Sequence, residues 1–272
     1  MARSTGPLHS DQARGSAGNL THRVYRGTGT VSRHRSPSRI KRRRASIVSP
    51  QQIPGCFSYH TAAVGYLLRV VGSLKYLVSL QDLAGGFGQF LQSIAPFQPQ
   101  WISSDPLHGN RPYLLFDGVD DGLPTTPLVP RFSAPLDVWV VASDCGIPSS
   151  DIGFISFSSS YSRYLYCDSS PAIQWGWVSP AQYNLKPHVD LGVRVWRIVF
   201  SAGTIQIFIN GVAQTLPKTI TTTEFNRILY SFVFVSGHAY PGKLFDIATW
   251  RRILNPVEVA LLLRYYTETF NI

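Results

Sequence analysis

The chain has 272 residues and a formal net charge of +10, with 44% hydrophobic and only 15% charged residues. All of the net charge lies in residues 1–50, where eleven Lys/Arg face one acid, Asp11; residues 51–272 hold fourteen of each sign. No apolar run reaches the ~18–20 residues of a membrane-spanning helix, because Arg69 and Lys75 interrupt the longest candidate at 62–80.

Residues 1–50 read as a basic arm that is flexible or ordered only by a partner. Like charges without acids or large apolar groups cannot collapse into a core, and such blocks are interaction tails. The candidate polyanion contacts are Arg33, Arg35, Arg39, Lys41, Arg42, Arg43 and Arg44. Neutralising phosphates with such groups releases condensed counterions. A solubilising or targeting tail is the competing reading, and the Arg- and Ser-rich, acid-poor composition also fits a transit peptide.

Residues 51–272 change texture to short apolar runs broken by Gly, Pro, Asn, Asp and Ser, which predicts an all-β sandwich. Strands are expected at 113–116, 136–142, 152–157, 161–167, 173–178, 194–201, 204–209, 227–235 and 244–250. Ala202-Gly203 signals a hairpin, and Asn210-Gly211 a type I′ turn. Leu115, Trp139, Val141, Ile198, Phe200, Ile207 and Ile247 are expected in the core. A helix is expected at 256–267: Asn255 caps it, Pro256 takes the first position and Glu258 completes a capping box. Val257, Leu261, Leu262 and Tyr265 repeat at helical spacing. This helix is expected to close one end or edge of the sandwich.

Three cysteines, Cys56, Cys145 and Cys167, show no metal-ligand spacing. Free, half-buried thiols are favoured over a Cys145–Cys167 bridge. Asp117, Asp120 and Asp121 form the only acid cluster of the body. A calcium site there, extended by Asp246, is one reading. Capping of backbone amides in a tight turn around Gly118 is the favoured one. Trp175 and Trp177, two apart on a strand, share a face. With Tyr161, Tyr164 and Tyr183 nearby they could form a glycan-stacking surface; sandwich core is the blander alternative.

Four segments resemble, in order, the laminin-G-like, concanavalin A-like jelly-roll domains found in phage structural proteins. They are Leu80–Gly86 with Gln92 and Gln98-Pro99-Gln100-Trp101; Asn110 through Asp121; Trp196–Phe200 with Ile205–Val212; and Gly242–Ile247 with Arg252–Glu258. The resemblance implies an antiparallel two-sheet jelly roll over roughly 53–272, with a C-terminal capping helix. Related glucanases carry a Glu-x-Asp-x-Glu strand. This chain has three glutamates, Glu224, Glu258 and Glu268, in no such pattern. The expectation is therefore a chain that is not an enzyme and needs no cofactor. It would be a virion structural protein, homo-oligomeric or bound to other virion proteins, with its arm on nucleic acid or an acidic neighbour. A glycan-binding adhesion module and an organellar protein are the alternatives.

Overall fold

A computed structural model describes residues 48–86, 88–126, 132–133, 135–143, 152–156, 164–167, 174–178, 182–187, 192–201, 203–214, 218–219, 224–225 and 240–272. In chain order the strands are β1 (Cys56–Thr61), β2 (Tyr66–Val71), β3 (Leu74–Gln81), β4 (Gln89–Leu91), β5 (Gln100–Asp105), β6 (Arg111–Asp117), β7 (Thr125–Thr126), β8 (Phe132–Ser133), β9 (Leu136–Ser143) and β10 (Ile152–Ser156). They continue as β11 (Tyr164–Cys167), β12 (Gln174–Val178), β13 (Gln182–Pro187), β14 (Val193–Ser201), β15 (Thr204–Ile209), β16 (Val212–Ala213), β17 (Lys218–Thr219), β18 (Glu224–Phe225) and β19 (Pro241–Trp250). One helix, α1 (Pro256–Phe270), follows. The fold is an antiparallel β-sandwich, as the short apolar runs broken by turn residues predict. The described strands form a thirteen-stranded sheet, a four-stranded sheet β10-β11-β12-β13 and the pair β18-β8.

The centre of the largest sheet runs β15-β14-β9-β19, with β6 and β1 sharing the far edge of β19. Period-2 alternation gives these strands two buried faces. On one face Val138, Val140, Trp196, Ile198, Phe200, Ile207 and Ile247 join Leu77, Leu80, Phe90 and Trp101 in one apolar cluster. On the other, Trp139, Val141, Val195, Phe245 and Trp250 meet Leu262, Tyr266 and Phe270 of α1. Every residue of β9 is buried as a result.

Two expectations need correcting. The helix lies across a face of the central sheet, not at an end or edge. Its buried stripe is Leu262, Tyr266 and Phe270, while Val257 and Leu261 are exposed. Aromatic packing sets that orientation: Tyr266 stacks on Trp139 with centroids 6.1 Å apart, and Phe270 meets Phe245 at 5.3 Å. Leu115 is not core. Register pairs Leu114 with Leu244, so Leu114 and Phe116 point inward and Leu115 turns to the other face.

The predicted helix start is realised in full. Asn255 Oδ1 accepts from the Val257 and Glu258 amides at 3.0 Å, and Glu258 Oε2 accepts from the Asn255 amide at 3.0 Å. Asn210 and Gly211 both have positive φ, 49° and 80°, as a type I′ turn requires. The strand expected at 227–235 and the candidates Arg33, Arg35, Arg39, Lys41, Arg42, Arg43, Arg44 and Tyr161 lie outside the described residues, as does Cys145. Among the described residues no helix is long and apolar enough to cross a membrane.

Candidate functional site

The larger described hollow, about 620 Å³, lies beside the acid turn. Its apolar lining comes from Val71, Pro96 and Leu115, and its polar groups from Arg69, Tyr76, Gln98, Gln100, Asp117 and Asp121. The β2–β3 hairpin supplies Arg69 and Tyr76, in adjacent register. Gly72, at φ 61°, makes the turn between them. Tyr76 in turn pairs with Gln100 of β5.

Arg69 is held on both sides. Its guanidinium lies 5.0 Å from the Tyr76 ring centroid, and it donates to Gln98 Oε1 at 2.7 Å and to the Ala95 carbonyl at 3.2 Å. Gln98 is buried and donates to the Gln92 carbonyl at 2.8 Å. Gln92 in turn donates to the Gly122 carbonyl at 3.0 Å. Gln92 thus backs Gln98, the wall residue that orients the arginine.

The acid turn caps backbone amides with Asp117, as expected, and with Asp121 where Asp120 was expected. Asp117 Oδ1 accepts from the Val119 amide at 2.8 Å and the Asp120 amide at 3.4 Å, and Asp121 Oδ2 accepts from the Asp117 amide at 2.9 Å. Gly118, at φ 78°, takes the left-handed corner. One carboxylate oxygen from each of Asp117, Asp120 and Asp121 lies within 4.8 Å of the others, a spacing a hard cation can bridge. Burial, reinforced by the charges of Asp117 and Asp120, pushes the Asp121 carboxyl up to about 7, although the Asp117 amide works in the opposite direction. Asp246 does not join this cluster. It lies in a separate pocket, beside Tyr59 and Tyr265.

The aromatic candidates divide. In the four-stranded sheet Trp177 stands opposite Leu165 and Tyr183, and Trp175 opposite Cys167. Trp139, Trp196 and Trp250 are core. Cys56 is a free thiol, pushed up to about 12 by burial and then by the nearby Asp82 charge, so it is chemically quiet.

Sequence reasoning missed Arg69, Tyr76 and Gln100 as a group. The available signal was Gly72-Ser73 between two apolar runs, a two-residue hairpin pattern.

No family model and no curated protein matches the chain. Solved structures do share its fold. Domain 4 of a GH43 extracellular arabinanase from Geobacillus stearothermophilus, in complex with arabinotriose, superposes with a TM-score of 0.51 at 12% identity, over 76% of this chain and 97% of that one. A GH54 α-L-arabinofuranosidase soaked with a cyclic sulfate inhibitor superposes at 0.57 with 7% identity, over 79% of this chain and 63% of that one. A Trypanosoma rangeli sialidase in complex with sialic acid gives 0.49 at 10% identity, over 82% of this chain and 34% of that one. The chain thus spans about a third of that sialidase. The expectation that the chain is not an enzyme is overturned here. Its fold is shared with domains of glycoside hydrolases, so the missing glucanase strand excludes one catalytic arrangement and no more.

Proposed function

We propose that this chain recognises carbohydrate through the cleft formed by the β2–β3 hairpin and β5–β6. The carrying observation is Arg69, fixed between Tyr76 and Gln98 at the edge of a cleft that also offers Gln100, Asp117 and Asp121. Sugar sites combine an apolar floor with a few oriented donors and acceptors, because each hydroxyl must regain the hydrogen bonds it leaves in water. A preorganised guanidinium loses little further freedom on binding. The fold it shares with a domain seen with arabinotriose is compatible with this reading. Isothermal titration of the full chain with arabinotriose, xylotriose and galactotriose tests it. At least one should bind, and Arg69→Ala should weaken that binding about tenfold. Absence of heat with all three, or wild-type affinity in Arg69→Ala, would sink the cleft as the site.

A second reading is favoured by one feature of the sequence, the confinement of all net charge to residues 1–50. We propose on that ground that the arm contacts nucleic acid, as in a virion structural protein whose body assembles with further copies. The two readings concern different parts of the chain and are tested separately.

A further inference from the structure

We propose that a second pocket, beside the C-terminal turn of α1, binds a single sugar unit or small polyol whose neighbouring hydroxyls donate to Asp246. This site goes beyond the cleft proposal and stands without it.

The pocket measures about 230 Å³ and is lined by Tyr59 and Thr61 of β1, Arg111 of β6, Asp246 of β19, and Tyr265 and Thr269 of α1. That volume is roughly eight water molecules at ~30 Å³ each, room for one ring and not for an oligosaccharide. Asp246 is 2% exposed. Its Oδ2 accepts from the Tyr59 hydroxyl at 2.9 Å. Its Oδ1 is buried and has no hydrogen-bond partner. An unsatisfied buried carboxylate oxygen is costly, and pockets retain such groups where a ligand supplies the donor.

The surroundings select the donor. The Tyr59 hydroxyl also lies 3.3 Å from that of Tyr265, so a hydroxyl pair extends from Asp246 to the helix. Arg111 lines the same pocket and acts on Asp246 as a positive charge. A cationic ligand reaching Oδ1 would meet Arg111, and an anionic one would meet Asp246. A neutral polyol suits both, because each hydroxyl donates to the carboxylate and accepts from guanidinium or tyrosine. Burial, partly offset by the nearby Thr61 and Tyr59 hydroxyls and by the Arg111 charge, pushes the Asp246 carboxyl up to about 7. The protein's own groups therefore under-satisfy the ionised form.

Amide chemical-shift mapping of the full chain tests this, with L-arabinose, D-xylose, D-galactose and myo-inositol as probes and ethylammonium and acetate as charged controls. The expected result is saturable shifts at Thr61, Ala63 and Thr269 with at least one polyol. Asp246→Asn should raise that Kd tenfold or more, and Ala63→Trp, which adds bulk to the pocket lining, should abolish the shifts. Ala63→Trp keeps the test valid should Asp246→Asn perturb folding. No polyol shifts in the wild type would overturn the proposal. So would shifts confined to Tyr76 and Gln100, tighter binding of either charged control, or polyol binding that survives Ala63→Trp.

Discussion

Arg197 grips Asp137 with three hydrogen bonds, Nε at 3.0 and 3.3 Å and the terminal nitrogen at 2.7 Å, between strands whose other face is sealed core. Asp137 is fully buried and also accepts from the Leu254 amide at 3.0 Å. The same guanidinium lies over the rings of Trp139 and Phe208. One carboxylate thus ties β9 to β14 and to the connector that launches α1.

Removing that carboxylate strands a buried guanidinium and an amide. Asp137→Ala should destabilise the body by about 3–5 kcal/mol, the usual cost of breaking a buried pair from one side. Urea unfolding followed by tryptophan fluorescence measures it. A loss under 1 kcal/mol would mean that the pair adds nothing beyond what solvent provides.

The helix cap is worth less and is separable. Asn255 satisfies two amides at the start of α1, so Asn255→Ala should cost about 1 kcal/mol. Glu258→Ala should cost at least as much, since it also releases Arg252, held at 2.7 Å by both carboxylate oxygens. Thermal unfolding of the two variants checks the order.

Stability should respond to pH through Asp246. Its carboxyl is raised from 3.8 to about 7 on folding. The folded chain therefore binds the proton more tightly than the unfolded one. The resulting stabilisation is complete below the unfolded value and disappears as pH rises through the folded value. Asp121 acts in the same direction. His60, lowered from 6.5 to about 4 chiefly by burial, acts in the opposite one. Comparing wild type with Asp246→Asn cancels the shared groups. The wild type should lose stability relative to the variant between about pH 4 and 7, by a few kcal/mol at most. Parallel pH profiles of unfolding free energy would show that Asp246 does not titrate in this range.

The arm should bind polyanions without sequence preference, because it offers charge and no rigid base-reading element. Five contacts from Arg39, Lys41, Arg42, Arg43 and Arg44 imply a log–log salt slope of about −4.5 on duplex and about −3.5 on single strands. Deleting residues 1–45 should abolish the binding and leave the body folded. Fluorescence anisotropy across a salt series reads both slopes, and undiminished binding by the truncated chain would refute the arm's role.

By itself the sequence determined what short-range chemistry decides. Short apolar runs made 136–142 and 204–209 strands, Asn210-Gly211 a tight turn, and Asn255-Pro256 with Glu258 a helix start. It also separated a cationic arm from a neutral body, since charge is a property of composition. Tertiary structure alone decided which face each element buried. Tyr113 through Phe116 reads equally well in either register, and only pairing with β19 put Leu114 inward and Leu115 in the cleft. The face of α1 was set by the aromatics of the sheet beneath it, which lie more than a hundred residues away in Trp139. The same holds for both sites. Arg69 meets Gln98, and Tyr59 meets Asp246 across 187 positions, because strand order brings them together. No local pattern records such a meeting: a lone buried aspartate looks the same in sequence whether both its oxygens find partners or only one does.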